Sequence, residues 1–321
     1  MSEKDKKEKR IRQLISEGKI EEALILAGIP EVDFLSFMGS FASEEENHEM
    51  ADRAYSRILE LEPENVTAWY NKGVALACLD QFEEALHCYD EVLKRTPGDR
   101  EARQNKGVAL QNLGRHTEAL RCFDTVLAVS PDDGEAWYCK GMSLFFLGNL
   151  DEAFHCFNTA AKVDPHHADA WYSKGGLFTH FGKLNEAVHC FDKALSINPH
   201  FLDAWYNKGT ILSRLKKYEE AIFCYDKVLL ISPGDADVWY NKGVALQGLK
   251  KDDEALKCYD KVLTIAPGDA NAWYNKGTAL QNLGRHAEAV LCYDESLKID
   301  PHQEDAQCKR RAALRILGRM D

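Results

Sequence analysis

Residues 66–99 read VTAWYNKGVALACLDQFEEALHCYDEVLKRTPGD. Trp69, Gly73, Leu76 and Leu79 (or Asp80) recur at helical spacing and mark one face of a first helix. Asp80-Gln81 interrupts that pattern, and Phe82, Ala85, Leu86, Tyr89, Val92 and Leu93 then form an apolar stripe on a second helix. Pro97 ends the second helix, because it has no N–H to donate and its ring clashes with the preceding turn. Asp99 is placed to cap the helix that follows. The stretch therefore predicts a helical hairpin, too small to bury its own apolar faces without a neighbour on either side.

The same hairpin recurs along the chain. Prolines 63, 97, 131, 165, 199, 233, 267 and 301 are spaced by 34 residues without a slip. The glycine comb from Gly39 to Gly277 and the alanine comb from Ala51 to Ala289 keep that period. All six tryptophans share one register, at 69, 137, 171, 205, 239 and 273. Gly114, Gly148, Gly182 and Gly284 stand where a first helix should end. Asn65, Asp133, Asp235 and Asp269 repeat the cap of Asp99. A length of 321 residues alone would suggest two domains, and the uninterrupted repeat overrides that expectation.

On these residues the chain resembles the tetratricopeptide repeat family. The resemblance covers eight units over 32–303, the first divergent, with Leu35 at the Trp register. Residues 1–31 read as a charged N-terminus with a short helical cap, and residues 304–321 as a C-terminal capping helix carrying Gln307 and Arg311 at the Trp and Gly registers. The resemblance implies an all-α, right-handed superhelical solenoid of helix–turn–helix repeats, with a concave groove lined by first helices.

Composition narrows the function. Lys and Arg total 40 against 52 Asp and Glu, a net charge of −12, which argues against nucleic acid as a partner. No apolar run is long enough to span a bilayer, so no membrane partner is expected. The first ten residues are almost all charged and precede no signal-type stretch, so the ten cysteines read as free thiols of a cytoplasmic protein. No catalytic, cofactor or metal motif survives inspection. Gly176–Lys183 has the wrong glycine spacing for a phosphate loop and reads as an interhelical turn. The expectation is a protein without catalysis, cofactor or metal.

Three ladders carry the remaining information. Cys88, Cys122, Cys156, Cys190, Cys224, Cys258 and Cys292 keep the period. Their rungs should lie on the order of 10 Å apart, too far for a disulfide or shared zinc, so they read as small packed hydrophobes. Lysines from Lys72 to Lys276 precede each glycine, and aspartates from Asp90 to Asp294 recur on second helices, with Asn158 the exception. These charges read as pairs, either across a hairpin or between neighbours, with a basic stripe for an acidic ligand as the rival. In the first unit Met38 and Ser56 replace both charges together.

The third ladder stands beside the tryptophans, as Tyr70, Tyr138, Tyr172, Tyr206, Tyr240 and Tyr274, each followed by the register of Asn71, Asn105, Asn207, Asn241 and Asn275. The family resemblance turns these registers toward the groove. An asparagine offers an acceptor and two donors, which suits a peptide backbone. Asn71, Asn105, Asn207, Asn241 and Asn275, with Tyr206, Tyr240 and Tyr274, are therefore the candidate peptide-binding residues; the competing reading is packing between helices. The ladder breaks at Gln104, Cys139 and Ser173, where Met142, Phe145, Phe146, Gly176, Thr179 and His180 form either an apolar anchor site or inter-repeat packing. The carboxylate clamp that family members use on acidic chaperone tails is missing: its registers hold Tyr70, Val74, Gln104, Val108, Tyr138 and Met142.

The function expected is a protein-interaction scaffold or adaptor that takes a protein or extended peptide in its groove. The rivals are a regulatory or structural subunit that binds a folded partner by its outer faces, and a substrate-recruiting arm for a separate enzyme chain.

Overall fold

The computed structural model describes residues 3–318. Residues 1, 2 and 319–321, the extreme ends of the two terminal segments, lie outside the described residues. Among the described residues every regular element is a helix. A short pair, α1 (Glu3–Ser16) and α2 (Ile20–Ala27), comes first. The hairpins follow as α3 (Glu31–Glu44) with α4 (His48–Leu61), α5 (Val66–Cys78) with α6 (Phe82–Arg95), α7 (Arg100–Asn112) with α8 (His116–Val129), and α9 (Gly134–Phe146) with α10 (Leu150–Val163). These make one compact unit, to Asp164. A second unit runs from Pro165, with α11 (Ala168–His180) and α12 (Leu184–Ile197), α13 (Leu202–Arg214) and α14 (Tyr218–Ile231), α15 (Ala236–Gly248) and α16 (Asp252–Ile265), α17 (Ala270–Asn282) and α18 (His286–Ile299), then the single α19 (Glu304–Ile316).

Local chemistry sets the helix ends. The backbone N–H groups of Ala68, Ala102, Ala136, Val238 and Ala272 donate to Asn65, Asp99, Asp133, Asp235 and Asp269 at 2.9–3.1 Å, the caps expected from sequence. Each contributes about 1 kcal/mol. Asn47 and His167 cap α4 and α11 as well, which the sequence reading did not anticipate. First helices end in the left-handed region at a fixed register, which is Gly114, Gly148, Gly182 and Gly284 in some repeats but Glu46, Asp80, Lys216 and Lys250 in others.

The tryptophans do more than fill space. Each of the six indole N–H groups donates to the carbonyl of the proline six residues earlier, at 2.8–3.2 Å, and pins the inter-repeat loop to the helix it feeds. Arg103 and Gln307, at the same register, make the same bond to Pro97 and Pro301.

Within each unit the core sits between the two helices of each hairpin and the next. The alanine comb is wholly buried, and the aromatic ring four residues on closes over the glycine of the first helix. A Cβ on Gly243 would lie 2.7 Å from the ring of Tyr259, and one on Gly141 equally close to Phe157. At the N-terminal end, Lys7 donates to the carbonyl of Ala27 at 3.0 Å and holds α1 against α2. Arg12 pairs with Glu44 at 2.8 Å and lies over Phe37 and Phe41, which joins α1 to α3.

Candidate functional site

Within each unit successive first helices lie side by side, and the Tyr–Asn ladder bridges them. Asn105 Nδ2 donates to the Tyr70 hydroxyl at 3.1 Å in the first unit. In the second unit Asn207 donates to Tyr172, Asn241 to Tyr206 and Asn275 to Tyr240, at 2.7–3.0 Å. Each partner is 35 residues back, one repeat plus one residue, so the asparagine always meets the tyrosine of the preceding hairpin. The asparagines are half-buried, and their Oδ1 atoms and remaining N–H groups have no partner among the described residues. Burial raises the Tyr70, Tyr172 and Tyr240 hydroxyls above their ordinary titration range, with a further push from Glu101 on Tyr70 and Asp203 on Tyr172. They stay protonated and accept the asparagine N–H.

This geometry changes the membership of the candidate set. Tyr172 and Tyr70 belong to the bridges although the sequence reading singled out only Tyr206, Tyr240 and Tyr274. Tyr274 makes no such bond, because the register after Asn275 holds Lys309. Asn71 also stands apart: Ser36 occupies the register of its expected tyrosine, and Asn71 makes no side-chain hydrogen bond among the described residues.

The charged ladder is spent inside the protein. Lys106–Asp90, Lys140–Asp124, Lys208–Asp192, Lys242–Asp226 and Lys276–Asp260 pair at 2.5–2.7 Å, each lysine meeting the aspartate of the repeat before it. Lys140, Lys174, Lys208, Lys242 and Lys276 also lie 4.8–5.4 Å above the adjacent tryptophan rings. Where Ser56 replaces the aspartate, Lys72 reaches one turn back to Asp52 at 3.9 Å.

All seven cysteines of the ladder are buried free thiols, as is Cys139, while Cys78 and Cys308 are exposed. Burial pushes Cys88, Cys156, Cys190, Cys258 and Cys292 up to about 11 and Cys224 to about 12. The thiolate is the reactive form, so these sulfurs are shielded by both access and protonation. Titration of the folded protein with a thiol reagent at pH 8 is expected to modify Cys78 and Cys308 quickly and the buried set only on unfolding. Rapid labelling of the ladder in the folded state would contradict its packing.

The registers at the break in the ladder separate. Met142 and Phe146 line a cleft of about 520 Å³ with Val108, His116 and Tyr138. Phe146, 62% exposed, stacks on His116 at 4.9 Å, and Phe145 meets Phe146 edge-on. Gln111 fills the role of a bridge here, donating to the Cys139 carbonyl and the Ser143 hydroxyl at 2.7 and 2.8 Å. Gly176, Thr179 and His180 belong to the second unit, where Thr179 donates to the Gly175 carbonyl. No group of residues suited to a metal ion occurs among the described residues. No single described helix is long and apolar enough to cross a membrane.

Tandem helical hairpins joined through side-chain ladders define a repeat scaffold. Family models described as tetratricopeptide repeat match residues 66–99, 134–167, 168–201, 202–235, 236–269 and 270–303, and a second model of the same description matches 101–133. The chain belongs to the tetratricopeptide repeat family, and it is a protein–protein interaction scaffold. No curated protein matches it. Among solved structures it is similar to YrrB, described as a TPR protein with an unusual peptide-binding site, at 23% identity and a TM-score of 0.57, covering 59% of this chain and 97% of that one. It is also similar to the Cut9–Hcn1 hetero-tetramer of APC/C, at 20% identity and a TM-score of 0.50, covering 88% of this chain and 55% of that one. MamA 41-end from Desulfovibrio magneticus RS-1 aligns at 21% identity and a TM-score of 0.50, over 53% of this chain and 96% of that one. At these identities the likeness is one of fold.

Proposed function

We propose that the protein is a non-catalytic adaptor that holds an extended peptide against its first helices, mainly by the peptide backbone. The observation that carries this reading is the run of three consecutive bridges, at Asn207, Asn241 and Asn275, each with an amide carbonyl and an N–H left over. The tyrosine fixes the rotamer of each asparagine before a ligand arrives, so less side-chain entropy is lost on binding. A pitch on the order of 10 Å per repeat corresponds to about three residues of extended chain. The peptide-binding site named for YrrB is consistent with this class of ligand.

In this reading the eight units over 32–303 form the array, 1–31 and 304–321 are its caps, and the protein works in the cytoplasm with reduced thiols. The missing carboxylate clamp disfavours an acidic chaperone tail. A second reading, docking of a folded partner on the outer faces, has its own support in α14, where Phe223 and Leu230 are exposed, Leu230 by 80%.

The test uses peptides selected on the full chain from a displayed library. Replacing Asn241 with alanine is expected to weaken binding by about 0.5–1.5 kcal/mol per lost hydrogen bond, to the same degree for peptides with unrelated side chains. The same change frees the Tyr206 hydroxyl and leaves the helical content intact. Affinity that does not change, or changes only for one peptide sequence, would remove the backbone reading.

A further inference from the structure

The opening hairpin carries a cleft that breaks the pattern of the bridges. About 510 Å³ opens between α3, α4 and α5. Its origin is a pair of register substitutions. Ser36 stands where other repeats place Tyr70 or Tyr206, and Ser40 stands where they place Val74. The missing phenol leaves space, and it leaves Asn71 without the hydroxyl to which Asn105, Asn207, Asn241 and Asn275 donate.

A second, independent observation concerns Tyr55, which lines the same cleft and is 3% exposed. Its hydroxyl has no hydrogen-bond partner among the described residues. Its counterparts Tyr259 and Tyr293 donate to Gln247 and Gln281 at 2.5 and 2.8 Å. At the equivalent register α3 has Ser43, whose short side chain bonds the Gly39 carbonyl instead. The Tyr55 ring is buried while its hydroxyl borders the cleft, where a ligand's donor or acceptor can pair with it.

The charge of the lining selects among ligands. Asp33 and Glu62 face the cleft, and no Lys, Arg or His does. Neither carboxylate is in an ion pair among the described residues, although Glu62 accepts from Asn65 Nδ2 at 2.9 Å. An anion is repelled. A purely apolar side chain would bury Asn71, Ser36 and Tyr55 without partners. A cation on an aliphatic stem satisfies both demands, with N–H donors for the carboxylates, hydroxyls and the Asn71 carbonyl, and methylenes along Val32 and Ile58.

We infer that this cleft binds a basic side chain, lysine or arginine, of the partner segment. The inference rests on the reading of these first helices as a peptide-binding face and adds to it a cationic residue as the specificity determinant at this end. The remaining polar groups serve to orient the cation. Attraction by two solvent-facing carboxylates also makes the contact sensitive to salt.

The experiment titrates the isotopically labelled full chain with N-acetylated, C-amidated nonapeptides that carry arginine, lysine or norleucine at the central position of an Ala/Ser sequence. The Asn71 side-chain amide and the Tyr55 ring are the reporters. The basic peptides are expected to move both reporters and to bind roughly tenfold more tightly than the norleucine peptide at low salt. Asp33→Asn should remove most of that preference. Ser36→Tyr should fill the cleft, offer Asn71 a hydroxyl and abolish the Asn71 shift while circular dichroism stays unchanged.

Equal binding of the norleucine peptide, shifts that avoid Asn71 and Tyr55, or an undiminished preference in both variants would overturn the inference. A norleucine peptide that binds here only with a free N-terminus would assign the cleft to an α-amine and overturn the side-chain assignment. A response at Asn207, Asn241 and Asn275 without one at Asn71 defeats this inference alone. A response at Asn71 without one at those rungs defeats the backbone ladder and leaves the basic cleft standing, and silence at both sites defeats the two together.

Discussion

Replacing Tyr259 with alanine is expected to destabilise the second unit by roughly 3–5 kcal/mol, the range for emptying a large aromatic site in a packed core. Tyr259 is fully buried, its ring lies against Gly243 and leans on Tyr240 at 6.1 Å, and its hydroxyl donates to Gln247 Oε1 at 2.5 Å. Truncation removes the ring that joins α15 to α16 and strands the Gln247 carbonyl. The two effects separate in the Tyr259→Phe variant, which keeps the ring and should cost only about 1 kcal/mol for the lost hydrogen bond. Chemical unfolding followed by helical circular dichroism makes the comparison. A loss below about 1 kcal/mol for the alanine variant would mean that the aromatic comb is not the core of the hairpin.

Enlarging the facing residue should be nearly as damaging. Gly243→Val places a Cβ 2.7 Å from the Tyr259 ring before its methyl groups are counted. The ring is fully buried, so α15 and α16 must shift apart or the ring must leave its rotamer, at a cost of about 1–3 kcal/mol or more. Gly268→Ala is the matched control: it lies in an inter-repeat loop, meets nothing within 4 Å and has no left-handed φ. That variant should be neutral, or slightly stabilising through the reduced freedom of the unfolded chain. If the two variants unfold alike, close approach of the helices is not what the glycine comb provides.

These two changes act on residues that the period of the sequence already exposed. Positions such as Gly243, Tyr259 and Ala255 are legible because every repeat imposes the same steric demand on them. The caps at Asn65 and Asp269 were legible for a local reason: the cap bond closes within three residues, so the sequence contains both partners. The turn register was legible only in part. Glycines mark it where they occur, but Asp80, Lys216 and Lys250 adopt the same left-handed backbone without that signature.

The candidate site was harder to read because it depends on which repeat supplies each partner. In a periodic chain, Lys72 stands 18 residues before Asp90, and Lys106 stands 16 residues after it. Both separations recur wherever the aspartate is kept, Asn158 being the exception, so translation along the sequence cannot distinguish a pair within a hairpin from a pair between neighbours. The joint absence of both charges at Met38 and Ser56 even favours the wrong choice. The structure pairs Lys106 with Asp90, and it places Asn241 on Tyr206 of the preceding hairpin rather than beside its own Tyr240.

The sequence by itself determined the helical hairpin, its period of 34 residues, its caps and its buried combs, because those follow from local geometry and burial repeated many times over. Only the tertiary structure decided which residues meet across the joints, and so which ones are used up. It spends the lysines and aspartates on each other, occupies one N–H of each bridging asparagine, and leaves Asn71, Ser36 and Tyr55 around an open cleft. The physical reason is that contacts between stacked hairpins depend on the phase of one helix against the next. A repeating sequence fixes that phase only modulo its period, whereas packing of Trp, Gly and aromatic side chains selects a single registration.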